Sequence, residues 1–182
     1  MNYKNRILNL FTNGYLTTKE VTDNNIPKIY LTKLIEENKI ERVSRGVYIK
    51  KDELVDDFII LQSKSRNAIY SNTTALYLHG LSDRIPIKYD ITINSGYNGA
   101  LQREDNVNLF YTKKELLNLG VMNYKLDSGN IIKVYDLDKT ICDIIKNKKR
   151  IDAEIYNKAI REYFYSKKKN TLKLYDYAKK MN

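Results

Sequence analysis

Hydrophobic and polar positions follow a helical spacing at the start of the chain. Residues 2–13 carry apolar side chains on one helical face, and Gly14 is a natural stop for this predicted helix. Thr17 can cap a second helix, because Glu20 three residues later completes a capping box. The first twenty residues therefore predict two helices joined by a short turn.

The pattern changes from helical to alternating near residue 38. A third helix is expected from Pro27, which suits a first helical position, to about Asn38. Residues 40–49 then alternate as two strands around a tight turn that needs Gly46. The segment Ser44-Arg45-Gly46 fits either a two-residue turn or a type I turn with a glycine bulge. Helices followed by a basic hairpin predict a winged helix-turn-helix, a module that ordinarily binds duplex DNA.

The rest of the chain predicts a mixture of helices and strands, with no internal repeat and no low-complexity linker. The expected helices are residues 52–61, 71–78, 112–120, 136–146, 152–166 and 172–180, and the expected strands are residues 90–93, 107–112 and 131–135, the last preceded by a hairpin turn at 127–130. The boundary should fall near residues 50–55, giving domains 1–52 and 53–182. The predicted fold class is α+β: an N-terminal winged helix-turn-helix and a C-terminal mixed α/β domain ending in helices.

The charge distribution points to an anionic partner more clearly than the total charge does. The net charge is +10, but abundant Lys, Asn, Ile and Tyr also fit an AT-rich genome. Residues 1–50 carry +4, residues 51–112 carry −2 and residues 113–182 carry +8. An acidic middle between basic ends is not a uniform background.

The third helix has one face suited to a core and another suited to DNA. Leu31, Leu34 and Ile35 share a face and should pack on the first two helices. On the opposite face, lysines suit phosphates or guanine edges, and an exposed Ile29 could touch a thymine methyl group. Glu36 and the following glutamate would repel phosphate, so only the first two turns should enter a groove. The residues expected to contact DNA are Thr18, Lys19, Lys28, Ile29, Thr32, Lys33, Arg42, Ser44 and Arg45, with Arg45 at the tip of the hairpin. The alternative is a plain surface helix.

Candidate chemistry elsewhere is sparse. Cys142 lies among isoleucines and should be a buried thiol, and His79 beside a glycine should pack at or cap a helix end. One histidine and one cysteine supply no zinc ligand set, and neither a P-loop nor a dinucleotide fingerprint occurs. Asp136 should cap a helix, Asp138 should face solvent, and Asp143 should share the face of Asp136. We therefore expect no catalytic residue, metal or cofactor.

A dense basic run follows the predicted helix that Asp136 starts. Its members are Lys146, Lys148, Lys149 and Arg150. Cations at a helix C-terminus offset the helix dipole and usually form a solvated turn. The alternative is an anion-binding patch.

The order of three segments resembles the AbiEi-type abortive-infection antitoxins of type IV toxin–antitoxin systems. They are Arg45-Gly46-Val47-Tyr48, then Ala75-Leu76-Tyr77-Leu78-His79-Gly80-Leu81, then residues 134–145, which read Val-Tyr-Asp-Leu-Asp-Lys-Thr-Ile-Cys-Asp-Ile-Ile. The family commonly has Glu-Arg-Thr where this chain has Asp138-Lys139-Thr140, and the charges are kept. The resemblance implies a winged helix that represses the promoter of its own operon. It also implies a C-terminal antitoxin domain that opposes a nucleotidyltransferase-like toxin without a stable complex.

The expected function is thus that of a non-enzymatic, autoregulatory antitoxin that binds duplex operator DNA. The expected operator consists of inverted repeats. The C-terminal basic patch is expected to serve antitoxin function or cooperative DNA binding. One rival is a plain transcriptional regulator with a ligand-sensing or dimerising second domain. Another is a nucleic-acid enzyme that uses the C-terminal carboxylates. A start without an apolar signal segment, no apolar run of 18 residues and a single cysteine predict a cytoplasmic protein without a membrane partner.

Overall fold

The computed structural model describes residues 2–11, 14–51 and 56–181, and their contacts divide into two units. The first unit extends to Arg66 and includes residues 125–132, whereas the second comprises residues 67–124 and 133 onward. The domain boundary predicted at residues 52–53 lies outside the described residues.

The first unit combines short helices with one antiparallel sheet. Its elements in chain order are α1 (Tyr3–Asn9), β1 (Tyr15–Thr17), α2 (Thr18–Asp23), α3 (Ile29–Glu36), β2 (Ile40–Ser44), β3 (Val47–Lys50) and α4 (Asp57–Ser63). The strand order is β1-β3-β2, with β3 antiparallel to both neighbours. Strand β1 was not predicted, because three residues are too few to show an alternating pattern.

Two helix boundaries differ from the prediction. Helix α1 ends at Asn9 with Leu10 as its C-cap, and the predicted continuation to residue 13 ends outside the described residues. Helix α3 begins at Ile29, so Pro27 is not its first residue. The Pro27 carbonyl instead accepts the Tyr30 amide hydrogen at 3.2 Å, which forms a tight turn before the helix. The predicted helix start at residues 52–55 is also outside the described residues, and α4 begins after the Asp56 cap.

The core of the first unit is apolar and draws on every helix up to α3. The buried cluster contains Ile7, Leu16, Val21, Ile26, Leu31, Leu34, Ile40 and Tyr48. Leu31 and Leu34 are buried as predicted, but Ile35 is 36% exposed. The expectation for Ile35 was wrong because the core-facing stripe of this short helix is narrow, and Ile35 falls at its edge.

The second unit combines helices with a five-stranded mixed sheet. The elements that lie wholly or mainly in it are β4 (Ile69–Tyr70), α5 (Asn72–Leu78), β5 (Tyr89–Asn94), β6 (Val107–Thr112), β7 (Val121–Lys125), β8 (Ile131–Tyr135), α6 (Leu137–Lys146), α7 (Ala153–Tyr165) and α8 (Thr171–Met181). The strand order is β6-β5-β4-β8-β7. The β4–β5 pair is antiparallel, and the β4–β8 and β5–β6 pairs are parallel.

Helix α6 is the centre of the second unit. Its N-cap is Asp136, whose carboxylate accepts the Lys139 amide hydrogen at 2.9 Å, as predicted. Its apolar side chains join Leu76, Ala159 and Tyr163 in one buried cluster. Helix α6 thereby connects helices α5 and α7 through a shared core.

Three local predictions in the second unit need correction. The helix expected over residues 112–120 is only a turn of 3-10 helix, Lys114–Leu116. Ser71 precedes α5, but its hydroxyl does not cap the helix and instead accepts a hydrogen bond from Thr92 Oγ1 at 2.8 Å. Asp138 was expected in solvent and is 5% exposed, because it accepts hydrogen bonds from Tyr163 Oη at 2.7 Å and the Asn170 amide at 2.9 Å.

Candidate nucleic-acid interface

The turn between α2 and α3 fixes the angle at which α3 is presented. Asn25 follows the α2 C-cap with a φ of 56°, a left-handed conformation that asparagine tolerates better than most residues. The Ile26 amide donates to the Val21 carbonyl at 3.1 Å, and both side chains are buried. This turn anchors the start of α3 on the core of the first unit.

The exposed face of α3 carries the residues that the sequence assigned to DNA. Thr32 and Lys33 are exposed, Ile29 is 56% exposed, and Lys28 precedes the helix in an exposed turn. The Lys33 ammonium lies 5.2 Å from the centroid of the Tyr30 ring, a weak cation–π contact that leaves its charge accessible. The first two turns of α3 therefore present apolar, hydroxyl and cationic groups together.

The β2–β3 hairpin turns at Arg45 and Gly46. Gly46 has a φ of 78°, and Ser44 pairs with Val47 across the two-residue turn, next to an irregularity in register after Arg42. Arg45 is exposed at the tip. The predicted requirement for glycine at this position is confirmed.

The hairpin tip is hydrogen-bonded to the start of α2. The Thr18 amide donates to the Gly46 carbonyl at 2.8 Å, and Thr18 Oγ1 donates to the same oxygen at 3.4 Å. Thr18 thus holds the turn, and its partly buried side chain is directed at the hairpin. This coupling was not predicted, since residues 18 and 46 are far apart in sequence.

Ser44 and Arg42 differ in how they are presented. The Ser44 hydroxyl oxygen is buried and has no hydrogen-bond partner among the described residues, so the structure does not offer it to DNA as expected. Arg42 is exposed, and its Nε donates to the Ser44 carbonyl at 3.2 Å. The remaining guanidinium donors of Arg42 are available to a phosphate.

The cations of this surface are not neutralised by neighbouring acids. Within the part of the chain that the structure describes, no carboxylate pairs with Lys19, Lys28, Lys33, Arg42 or Arg45. Two nearby acids are engaged elsewhere: Glu20 accepts hydrogen bonds from the Thr17 amide and hydroxyl, both at 2.7 Å, and Glu37 pairs with Lys4, whereas Glu36 at the end of α3 is exposed. Free cations on an exposed helix and hairpin are suited to phosphate contacts.

The C-terminal basic run does not form one uniform patch. The Lys148 ammonium lies 4.9 Å from the Tyr156 ring centroid, and the Arg150 guanidinium carbon lies 3.9 Å from the Phe110 ring centroid. Lys146 lines a cavity of about 430 Å³ between α6 and α8, whereas Arg150 lines a different cleft. Lys149 is exposed.

His79 and Cys142 have structural surroundings. His79 is the C-cap of α5, and its Nε2 lies 2.7 Å from the Tyr135 carbonyl oxygen. Burial lowers the pKa of His79, which favours a neutral ring that donates this bond. Cys142 is buried, and burial raises the pKa of its thiol to about 11, so it is a poor nucleophile.

The carboxylates of α6 form bonds within the second unit, although Asp143 Oδ2 is buried without a hydrogen-bond partner among the described residues. Asp136 caps the helix and also contacts Lys173 Nζ at 2.7 Å and Tyr177 Oη at 2.8 Å. Asp143 pairs with Lys139 at 2.6 Å, and burial raises the pKa of this carboxyl although the ammonium opposes the rise. No group of three potential metal ligands occurs among the described residues.

Comparison with known families finds a match, which lies within the first unit. Residues 5–49 match a family model described as "Transcriptional regulator, AbiEi antitoxin", a segment that runs from α1 through the hairpin to Ile49 in β3. The resemblance to AbiEi-type antitoxins is thereby confirmed for this segment, and the matched family is one of transcriptional regulators. No curated protein matches the chain. None of the described helices is both long and apolar enough to span a bilayer.

Proposed function

We propose that the first unit is a winged helix-turn-helix that binds duplex operator DNA. Helix α3 would enter the major groove with Lys28, Ile29, Thr32 and Lys33, and the hairpin would act as the wing, with Arg45 at a phosphate or in the minor groove. The observation that carries this proposal is the uncompensated cationic surface shared by α3 and the hairpin. The Thr18–Gly46 hydrogen bond supports it, because it fixes the tip of the wing to the start of α2.

We propose further that the protein is a cytoplasmic, autoregulatory antitoxin without enzymatic activity. It would repress its own operon by binding inverted repeats and would counteract a nucleotidyltransferase-like toxin without forming a stable complex. The family match to residues 5–49 supports the regulatory part. The structural bonds of Asp136, Asp138 and Asp143 argue against the alternative of a nuclease that uses these carboxylates.

The DNA-binding proposal is tested by fluorescence anisotropy with a duplex from the region upstream of the protein's own coding sequence. Arg45→Ala should weaken binding by roughly 1–3 kcal/mol, or about fivefold to 150-fold. Arg103→Ala is the matched control, since Arg103 is an exposed arginine in the second unit, and it should leave affinity unchanged. Equal affinity of wild type and Arg45→Ala would remove the wing from the interface.

The antitoxin proposal is tested in cells that express the product of the adjacent gene. Co-expression of the full chain should restore growth if that product is the toxin. The Arg45→Ala variant should lose repression of its own promoter and keep protection when expressed from an unrelated promoter. Failure of the wild-type chain to restore growth would instead favour the plain transcriptional regulator.

A further inference from the structure

A cleft of about 520 Å³ opens within the second unit. Its walls come from the loop at residues 82–88, from strands β5 and β6, and from the segment at residues 150–155 that leads into α7. This volume lies within the range of ordinary small-molecule sites, about 300–1,000 Å³. The DNA-binding proposal uses none of these residues.

The strand side of the cleft carries a fixed pair of polar side chains. Asp90 and Asn108 face each other in the β5–β6 register, and Asn108 Nδ2 donates to Asp90 Oδ1 at 3.0 Å. Asp90 is 3% exposed and also accepts from the Thr73 amide at 2.9 Å and from Thr73 Oγ1 at 2.5 Å. The Asn108 side-chain oxygen has no hydrogen-bond partner among the described residues, so it is an oriented acceptor.

A stacked arginine lies at the same cleft. The Arg150 guanidinium carbon is 3.9 Å from the Phe110 ring centroid, and Nη2 donates to the Leu109 carbonyl at 3.3 Å. These contacts hold the guanidinium plane and leave several of its five N–H donors free for a ligand anion. Lys88 adds a second cation that has no carboxylate partner within the described ranges.

The loop side of the cleft carries exposed apolar residues beside its polar ones. Ile85 is 74% exposed and Ile87 is 93% exposed, and Pro86 lies between them. Ile151 and Ile155 extend the apolar lining from the other wall. Burial of these two exposed isoleucine side chains by a ligand with an apolar face would be favourable.

We infer that this cleft binds a nucleoside monophosphate. The apolar walls suit a flat base, the Asn108 side-chain oxygen, held in place by Asp90, suits a hydroxyl or amino donor, and Arg150 with Lys88 suits the phosphate. A sugar phosphate lacks the flat ring, and a fatty acid lacks the donors, so neither satisfies all three sides. Such a ligand site is what the alternative of a ligand-sensing regulator requires, and it is independent of the DNA-binding surface.

The test is isothermal titration calorimetry of the full chain with each of AMP, GMP, CMP and UMP, alongside inorganic phosphate and the matching free nucleosides. At least one nucleotide should bind with a Kd below 1 mM, and at least tenfold more tightly than phosphate or its nucleoside. Absence of detectable binding for all four nucleotides would overturn the inference, as would equal binding of phosphate alone.

Two neighbouring cations give a matched pair of variants. Arg150→Ala should weaken nucleotide binding at least tenfold, whereas Lys149→Ala removes the same charge one residue away, outside the cleft, and should change the Kd less than twofold. Ile87→Ser tests the apolar wall and should reduce the preference for the nucleotide over phosphate. Far-ultraviolet circular dichroism and thermal melts confirm that each variant is folded. Equal effects of Arg150→Ala and Lys149→Ala would show nonspecific charge attraction and overturn the site.

Discussion

His79 shows how a single buried side chain links stability to pH. Its ring bonds the Tyr135 carbonyl and lies edge-on to Tyr124, with the ring centroids 6.3 Å apart. Burial lowers the folded-state pKa below the ordinary value near 6.5, so the unfolded chain binds the proton more readily. The free energy of unfolding should therefore fall as the pH drops below about 6.5.

The first prediction follows from the lowered pKa of His79 in the folded protein. Urea unfolding of the wild type between pH 8 and 5.5 should show a loss of up to about 1.4 kcal/mol per pH unit that His79→Gln lacks. Glutamine retains an N–H donor for the Tyr135 carbonyl and cannot titrate. Parallel pH profiles for the two proteins would mean that His79 is protonated equally in the folded and unfolded chains.

The second prediction concerns Gly46 and uses Gly129 as its control. Both have positive φ, 78° and 85°, but a Cβ on Gly46 would lie 3.2 Å from Thr18 Oγ1, whereas none of the described atoms lies within 4 Å of a Cβ on Gly129. Val at either position should destabilise the protein by roughly 1–2 kcal/mol. Only Gly46→Val should also weaken operator binding in the anisotropy measurement. Equal loss of DNA binding in both variants would trace the effect to general instability.

At the scale of elements, helix α2 depends on its capping box. Thr17 Oγ1 accepts the Glu20 amide hydrogen at 3.2 Å, and the Glu20 carboxylate accepts from the Thr17 amide. A helix of six residues cannot satisfy many of its own amides, so the cap is a large share of its hydrogen bonding. Because Thr18 follows directly and holds the hairpin, the cap also supports the position of the hairpin tip.

The third prediction separates stability from DNA binding with two threonines. Thr17→Ala should lower the free energy of unfolding by about 1 kcal/mol through loss of the cap. Thr32→Ala, on the exposed face of α3, should change stability by less than about 0.5 kcal/mol and still weaken operator binding. Chemical denaturation and anisotropy on the same samples give both quantities. Unchanged operator affinity in Thr32→Ala would remove Thr32 from the proposed interface.

At the scale of the whole molecule, positive charge is concentrated at both ends of the chain, with +4 in residues 1–50 and +8 in residues 113–182. The structure places these two excesses of positive charge on different secondary-structure elements. The first includes Lys33 of α3 and Arg42 and Arg45 of the hairpin, and the second includes Lys146 and Lys149, which are exposed after or at the end of α6. Because these basic residues belong to different elements, the two proposed activities should be separable by mutation.

The fourth prediction tests that separation in the full chain. The double variant Lys146→Glu, Lys149→Glu should impair protection against the toxin, or cooperative binding to paired operator half-sites, and keep affinity for one half-site. Its melting temperature should change little, because exposed substitutions usually cost under about 0.5 kcal/mol each. Wild-type protection together with wild-type cooperativity would assign this basic run to a solvated helix end.

Several elements could be predicted from the sequence because their signals are local. The capping box at Thr17, the Asp136 cap of α6, the glycine turn at position 46 and strand β6 each depend on residues only a few positions apart. Caps and turns satisfy backbone groups of the same segment, so their residue types appear directly in the pattern. The basic face of α3 was predictable for the same reason, since helical periodicity places its members together.

Other features depended on contacts between distant segments. The sequence could not show that Asp138 is buried, because its partners Tyr163 and Asn170 come from later segments. The bond of Thr18 to Gly46 and the pairing of Asp90 with Asn108 also join residues well separated in the chain. A polar residue within an apolar strand suggests a site but does not identify its partner. The register of β5 and β6 decides which side chain faces that polar residue. Sequence alone determined local helices, turns and charge, whereas tertiary packing decided which polar groups are buried together, because a buried hydrogen bond needs a partner that only the folded chain supplies.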